Sequence, residues 1–360
     1  MLHYAMKLTL SDLEFTLPPE LIANKATEPR DHAKLLVVVR KTQEISHKKF
    51  FDLLSLLTPN DVLVLNNTKV FPARLFGEKT TKGKVEILLL TQTSDTDWTA
   101  MHRGKLSVGQ EILFGNVSAT VTQKHSQTIT LSFSIGGNDL REFIWKQGQV
   151  PLPPYIHSEE SEEENRNTYQ TVYAKHTGSV AAPTAGLHFT SELLQKLEEK
   201  GIQIEYVTLH VGMGTFLPIK EENVTDHPMH EEHYEIDLDT VKRLNVAKSN
   251  GKRIVAVGTT TTRVLESVTD QTGLIDAEKR VGSTAIFIYP PRKYQFVDAL
   301  ITNFHLPHST LLALIAAFVS EPNTSETFTT FKNSLMGKAY DVAIEHKYHF
   351  YSYGDACFIY

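Results

Sequence analysis

Gly178-Ser179-Val180-Ala181-Ala182-Pro183-Thr184-Ala185-Gly186-Leu187-His188-Phe189 is a run of small residues with one hydroxyl pair, Ser179 and Thr184, and one imidazole, His188. Its glycines and proline suit neither a helix nor a central strand. Small residues let a backbone come close to a ligand. A helix signal follows at once. Thr190 can cap residues 191–200, Leu193, Leu194 and Leu197 share one face, and Gly201 stops it. By its residues alone the run is either a tight core crossing or a turn that faces a ligand.

Strand, turn and helix then recur in that order. Ile202–His210 reads as a strand ending in the Gly-rich Val211–Phe216, and 240–248 as a helix. Arg253–Val257 is a buried strand followed by Gly258-Thr259-Thr260-Thr261-Thr262-Arg263 and a helix-like Val264–Ser267. Thr284–Tyr289, Leu300–Asn303 and Phe350–Asp355 read as strands, and Ser309 can cap an apolar helix over 311–319. Upstream, Lys34–Val39 and Val62–Leu65 are strands and Phe50–Leu57 a helix. The rhythm predicts an α/β body, a sheet with packed helices, whose ligands sit beyond the carboxyl ends of strands. Between about 70 and 150 the texture changes to short strands with polar turns, which predicts a small all-β barrel inserted into that body. The expected division is 1–66 with 150–360 as a discontinuous α/β catalytic domain, and 67–149 as the inserted barrel. The acidic run Glu159–Glu164 reads as a mobile loop.

The composition narrows the class. Hydrophobic residues at 41% and charged residues at 22% are those of a globular chain. A single cysteine, Cys357, leaves no internal disulfide and fits a reducing cytosol. The most apolar run, Leu311–Val319, is too short to cross a bilayer, so no membrane contact is expected. A net charge of −6 argues against coating nucleic acid with the whole surface, while leaving local basic patches such as Lys34, Arg40, Lys41, Lys48 and Lys49 open.

Four strand exits gather the polar chemistry: Gly178–Phe189, His210–Phe216, Gly258–Arg263 and Thr302–His305. His188, His210 and His305 recur at them, which suggests a polar pocket. The threonine run after Val257 either caps its helix or offers hydroxyls, backbone N–H groups and Arg263 to an anion. Arg263 can instead pair with Glu266, three residues on. His227, His230 and His233 have a spacing that invites zinc, but no cysteine is near and carboxylates flank them, so no metal is expected. His230, Glu232 and Tyr234 offer acid–base chemistry instead. No nucleophile elbow, Walker loop or His-Glu-x-x-His helix is present.

Nine strings stand in order along the chain: Leu17–Ile22 (LPPELI) with Arg30, Val64–Arg74 (VLNNTKVFPAR), Pro151–Ile156 (PLPPYI), Tyr169–Ala174 (YQTVYA), Gly178–Thr190 (GSVAAPTAGLHFT), Val207–Phe216 (VTLHVGMGTF), Val257–Ser267 (VGTTTTRVLES), Asp298–Thr310 (DALITNFHLPHST) and Tyr353–Ala356 (YGDA). Together they resemble the S-adenosylmethionine:tRNA ribosyltransferase-isomerase family of queuosine biosynthesis. Thr168, His308 and Pro291 depart from the family's Arg, Lys and Gly, and no role is carried over to them. Met6, after MLHYA, is the family-like beginning.

The resemblance implies an α/β body with a small β-barrel, no metal and no resident cofactor, S-adenosylmethionine being a co-substrate. Its ribosyl part is transferred to 7-aminomethyl-7-deazaguanine at the wobble position of a tRNA with a GUN-type anticodon. Ring contraction gives epoxyqueuosine, and adenine and methionine leave. A cytoplasmic monomer is expected. His188 and His210 are the expected proton carriers, with Glu232 in reserve. Ser179, Thr184, Gly186, Phe189, Gly212, Gly214, Thr215, Asn303 and His305 are expected at the substrate. Thr259, Thr260, Thr261 and Arg263 would hold the methionine carboxylate or an RNA phosphate. Arg30, Asn66, Asn67 and Arg74, near the junction with the barrel, would grip RNA. A non-catalytic RNA-binding module is disfavoured by apolar, hydroxyl-rich turns. A methyltransferase is disfavoured because residues 34–65 lack its Gly-rich loop.

Overall fold

The structure, a computed structural model, describes residues 8–360 except 154, 157, 213 and 215–217, so the expectations placed on Met6 and Thr215 lie outside the described residues. In chain order the strands are β1 (Lys34–Val39), β2 (Glu44–Lys49), β3 (Asp61–Asn66), β4 (Thr68–Val70), β5 (Arg74–Lys79), β6 (Lys84–Gln92), β7 (Asp97–Arg103), β8 (Glu111–Phe114), β9 (Val117–Lys124), β10 (Ile129–Phe133), β11 (His176–Ser179), β12 (Gln203–Leu209), β13 (Glu232–Glu235), β14 (Arg253–Val257), β15 (Val281–Thr284), β16 (Ala299–Asn303) and β17 (Ala356–Ile359). The α-helices are α1 (Leu53–Leu56), α2 (Gly137–Gln147), α3 (Glu162–Thr168), α4 (Ser191–Glu199), α5 (Leu238–Ser249), α6 (Gly258–Val268), α7 (Thr310–Phe318) and α8 (Leu335–Glu345).

Nine strands form one mixed sheet in the order β15-β13-β12-β3-β14-β16-β17-β1-β2. Its centre, β12, β3, β14 and β16, is parallel, with Ile204 beside Leu63, Val255 beside Leu63, and Val255 beside Ala299. Alternation along these strands sends neighbouring residues to opposite faces. Val62, Val64, Ile254 and Ala256 pack with α5, α6, α7 and α8 on one face. Leu63, Leu65, Val255 and Val257 pack with α1, α4 and Phe189 on the other. Both faces are covered, which is why the central strands are near-continuous hydrophobic runs.

Strands β5–β10 close into a separate six-stranded antiparallel barrel in the order β10-β7-β6-β5-β8-β9, as the change of texture predicts. Its core takes in Leu140, Phe143 and Ile144 of α2. Gly136-Gly137, in the stretch expected to hold only short strands and turns, begins that helix. A two-stranded parallel ribbon, β4 with β11, lies beside the barrel's point of attachment.

Three further expectations need correction. The acidic run is α3 and not a loop, because Ser161 and Glu164 form a capping box and Glu162–Glu164 stabilise the positive end of the helix. Strand β15 stops at Thr284. Phe350–Asp355 is the turn before the last strand, pinned by Asp355, whose carboxylate accepts from the amides of Lys34 at 2.6 Å and His349 at 2.8 Å. Among the described residues no helix is long and apolar enough to cross a membrane.

Candidate functional site

The four parallel strands end at one edge of the sheet, at Asn66, Leu209, Val257 and Asn303. The opening stretch is not a fifth exit. Its first two residues, Gly178 and Ser179, end β11 of the small ribbon, and Thr184–His188 is a 3-10 turn against β16. Between this edge and the barrel lies a cavity of about 830 Å³, lined by Trp98 and Met101 of the barrel, Trp145 of α2, and Gly178, His210 and Glu232. Gly212 and Gly214 also line it.

His210 lies on Gly178, where a Cβ would stand 2.7 Å from ring atom Cε1. This close approach requires glycine. Nδ1 of His210 is 2.8 Å from Thr68 Oγ1, and that hydroxyl can donate onward to the His176 carbonyl at 3.5 Å. With the Thr68 proton so directed, Nδ1–H donates to Thr68 and Nε2 keeps its lone pair. Burial, then His233 and His176 nearby, lower the His210 pKa, while Glu235 opposes them. Glu232 Oε1 accepts from the Gly212 amide at 2.9 Å, and Oε2 pairs with Arg263. The pair is buried, with 5% and 3% of the side chains exposed.

A second, small cavity of about 40 Å³ lies at the ends of β14 and β16 and is lined by Thr184, Thr259, Thr260, Asn303 and His305. Thr184 donates to Asn303 Oδ1 at 3.2 Å. Asn303 Nδ2 lies 3.3 Å from His188 Nε2. His188 is enclosed, its ring tilted against Phe50 at 4.9 Å, and its pKa falls to about 4 through burial, with a backbone hydrogen bond at Arg30 opposing the fall. Nε2 faces Asn303 and the ring shares a backbone hydrogen bond with Arg30, so His188 holds Asn303 in place.

Other expected contacts prove to be scaffold. Ser179 is fully buried and binds the backbone of Ala181 and Val211. Phe189 is in the core, edge-on to Phe50. A Cβ at Gly186 would land on the Tyr173 hydroxyl, so its closeness serves packing. The threonine run lies inside α6; Thr261 is fully buried and donates back to Val257 O at 2.7 Å. Arg263 pairs with Glu232 and not with Glu266, whose carboxylate receives the amides of Gln295, Phe296 and Val297. Asn66 is fully enclosed and bonds Leu209, Thr260 and the Thr68 amide, so it has no surface for RNA. Asn67 is buried and accepts from Thr208 at 2.7 Å. Arg74 lies between Glu86 at 3.3 Å and the Leu152 carbonyl at 3.0 Å. His227 bonds Glu221 at 2.7 Å, His230 lines the large cavity, and His233 stacks 6.4 Å from His210. Among the described residues no cluster of three metal-ligating side chains is present.

Arg30 reaches the carbonyls of Gln170 at 2.6 Å and Asn167 at 2.7 Å and lines a third groove, of about 480 Å³. Trp145, 36% exposed, borders both this groove and the large cavity. Lys69 Nζ and the Arg166 guanidinium stand 5.6 and 5.9 Å from its ring centre. Glu163 also lines the groove, and Arg166 pairs with Glu162 at 3.1 Å. Trp145 stands outside the strings and strand exits that mark the expected site. Its signal is a tryptophan that directly follows Phe143 and Ile144, the buried face of α2, and precedes Lys146 and Gln147.

A family profile described as "Queuosine biosynthesis protein" matches residues 10–359. The S-adenosylmethionine:tRNA ribosyltransferase-isomerase of Thermosipho melanesiensis is 46% identical over 359 residues, 98% of this chain and 99% of that protein. The protein of the same name from Fusobacterium nucleatum is 45% identical over 361 residues, 99% and 98% of the two chains. The crystal structure of S-adenosylmethionine tRNA ribosyltransferase from Thermotoga maritima aligns with a TM-score of 0.54 at 35% identity, over 97% of this chain and all of that one.

Proposed function

The chain belongs to the S-adenosylmethionine:tRNA ribosyltransferase-isomerase family, and from that premise we propose how its cavities divide the reaction. The enzyme transfers and isomerises the ribosyl group of S-adenosylmethionine onto 7-aminomethyl-7-deazaguanine in tRNA, giving epoxyqueuosine. S-adenosylmethionine is a co-substrate consumed in each turnover. The observation that carries the site assignment is the 830 Å³ cavity between the strand ends and the barrel, with the His210 ring on its wall.

In this reading S-adenosylmethionine lies in the large cavity with its ribose beside His210. The sulfonium acidifies the C5′ protons, and His210 Nε2 removes one. Ribose opening then expels adenine, the RNA amine attacks the unsaturated sulfonium, and ring closure with epoxide formation expels methionine. Glu232, paired with Arg263, places a carboxylate near the developing charges and holds the Gly212 amide. These are proton transfers and eliminations at carbon and call on no metal. Both cavities are built from one chain, so a monomer suffices, and a tRNA with a GUN-type anticodon places the work in the cytoplasm. Incubation with labelled S-adenosylmethionine and an anticodon stem-loop bearing the deazaguanine amine should release adenine and methionine in equal amounts. Formation of S-adenosylhomocysteine, or tight RNA binding without turnover, would overturn this reading.

The RNA enters past α2. Trp145, with Lys69 and Arg166 beside it, offers a flanking base a stacking face in a cationic setting. Loss of one stacked base is worth roughly 1–3 kcal/mol, so Trp145→Ala should raise the KM for the stem-loop about 10-fold and leave that for S-adenosylmethionine unchanged. Trp145→Phe should restore most of it. A change confined to S-adenosylmethionine would refute the assignment.

A further inference from the structure

The small cavity at the start of α6 takes no part in the chemistry placed at His210, yet three independent features mark it as a binding site. First, α6 is an 11-residue helix whose N-cap, Val257, offers no side-chain cap. The hydroxyls of Thr260, Thr261 and Thr262 are engaged elsewhere. Thr261 and Thr262 donate back to the carbonyls of Val257 and Gly258, and Thr260 Oγ1 accepts from Asn66. The first amides of α6 therefore meet the cavity without a capping oxygen, at the positive end of the helix dipole. Gly258, at φ +87° and without a Cβ, keeps the approach open.

Second, His305 lines the same cavity, is 4% exposed, and its Nδ1 has no partner. Its Nε2 lies 3.1 Å from Thr302 Oγ1. A buried polar atom left unpaired is costly unless an occupant supplies the missing hydrogen bond. Burial lowers the His305 pKa to about 3, so the ring is neutral at physiological pH. With Nε2–H donating to Thr302, Nδ1 presents a lone pair.

Third, no carboxylate, lysine or arginine side chain lines the cavity among the described residues, and at about 40 Å³ it is small. Its size suits a small charged end group better than a nucleobase or ribose. Val211 lines both this cavity and the large one, so the two are neighbours across that residue.

We propose that this cavity receives the α-amino-acid end of S-adenosylmethionine, with its carboxylate on the α6 amides and its ammonium donating to His305 Nδ1. The proposal rests on the family activity and adds the location of the methionine part. Thr184 and Asn303, backed by His188, form the wall opposite α6. The same contacts hold the departing methionine.

The test is calorimetric binding of S-adenosylmethionine and of its decarboxylated analogue to the wild-type protein and to His305→Phe, with thermal melting as the check on folding. The wild type should bind the decarboxylated compound about 30-fold more weakly, since charge-assisted hydrogen bonds are lost. His305→Phe should bind S-adenosylmethionine about 10-fold more weakly and leave the KM for the RNA stem-loop unchanged. Equal binding of the two compounds by the wild type, or an unchanged affinity in a folded His305→Phe, would overturn the proposal. Should His305→Phe not fold, the wild-type comparison decides by itself. Release of adenine and methionine from S-adenosylmethionine and RNA tests the family activity separately, so failure of this site is distinguishable from failure of that reading.

Discussion

His210→Gln should fold like the parent, bind both substrates, and lose about 10³-fold in kcat, the range expected for removal of a general base. Glutamine can keep the hydrogen bond to Thr68, which lies 2.8 Å from Nδ1, but offers no comparable base at Nε2. The pH profile sharpens the expectation. The base must be unprotonated to act. Its pKa is lowered by burial first, and by His233 and His176 after that. Wild-type kcat should therefore be flat at neutral pH and fall only as pH drops below the ordinary imidazole range. The variant should lack that limb. Unchanged turnover in His210→Gln, or an acid limb that survives the substitution, would remove His210 from the mechanism.

The second large effect is on stability. Arg263→Met should cost about 3–5 kcal/mol in urea unfolding, because it leaves the Glu232 carboxylate buried without its counter-charge. Arg263→Met with Glu232→Gln should recover most of that loss, since the neutral amide can still accept from Gly212 at the same oxygen position. The double variant should remain poorly active, because the carboxylate on the cavity wall is gone. A single variant that loses less than about 1 kcal/mol would show that the pair is solvated in solution and not buried as described.

The α/β body was legible because its central strands are covered on both faces. Arg253–Val257 and Val62–Leu65 are hydrophobic without alternation, and each runs into a polar turn. The barrel was legible from evenly spaced turns. Helices α2 and α3 were not, since a Gly-Gly start and a run of glutamates both imitate loops, and only the cap geometry separates them. At the site, His210, Glu232, Gly212 and Gly214 are brought to one cavity and Thr184, Thr259, Thr260, Asn303 and His305 to another. The reading went astray where side-chain direction decides. Nothing in the order of residues says that Ser179 turns to the Val211 backbone, that Asn66 is sealed in, or that Arg263 finds Glu232, 31 residues away. Trp145 was missed because its worth lies in two neighbours, Lys69 and Arg166, that come from distant parts of the chain.

The ribbon of β4 and β11 has a consequence for how the barrel is carried. The chain leaves the body at Val70 and re-enters the ribbon at His176, side by side with its own departure. Arg74 and Gln149 exchange backbone hydrogen bonds at 3.1 and 2.8 Å, closing a neck between the two crossings. Among the described residues no ladder joins strands β5–β10 to the nine-stranded sheet. The insert is thus a cassette on a stalk. Its loops can lengthen, shorten or change charge while the register of the nine-stranded sheet stays as it is.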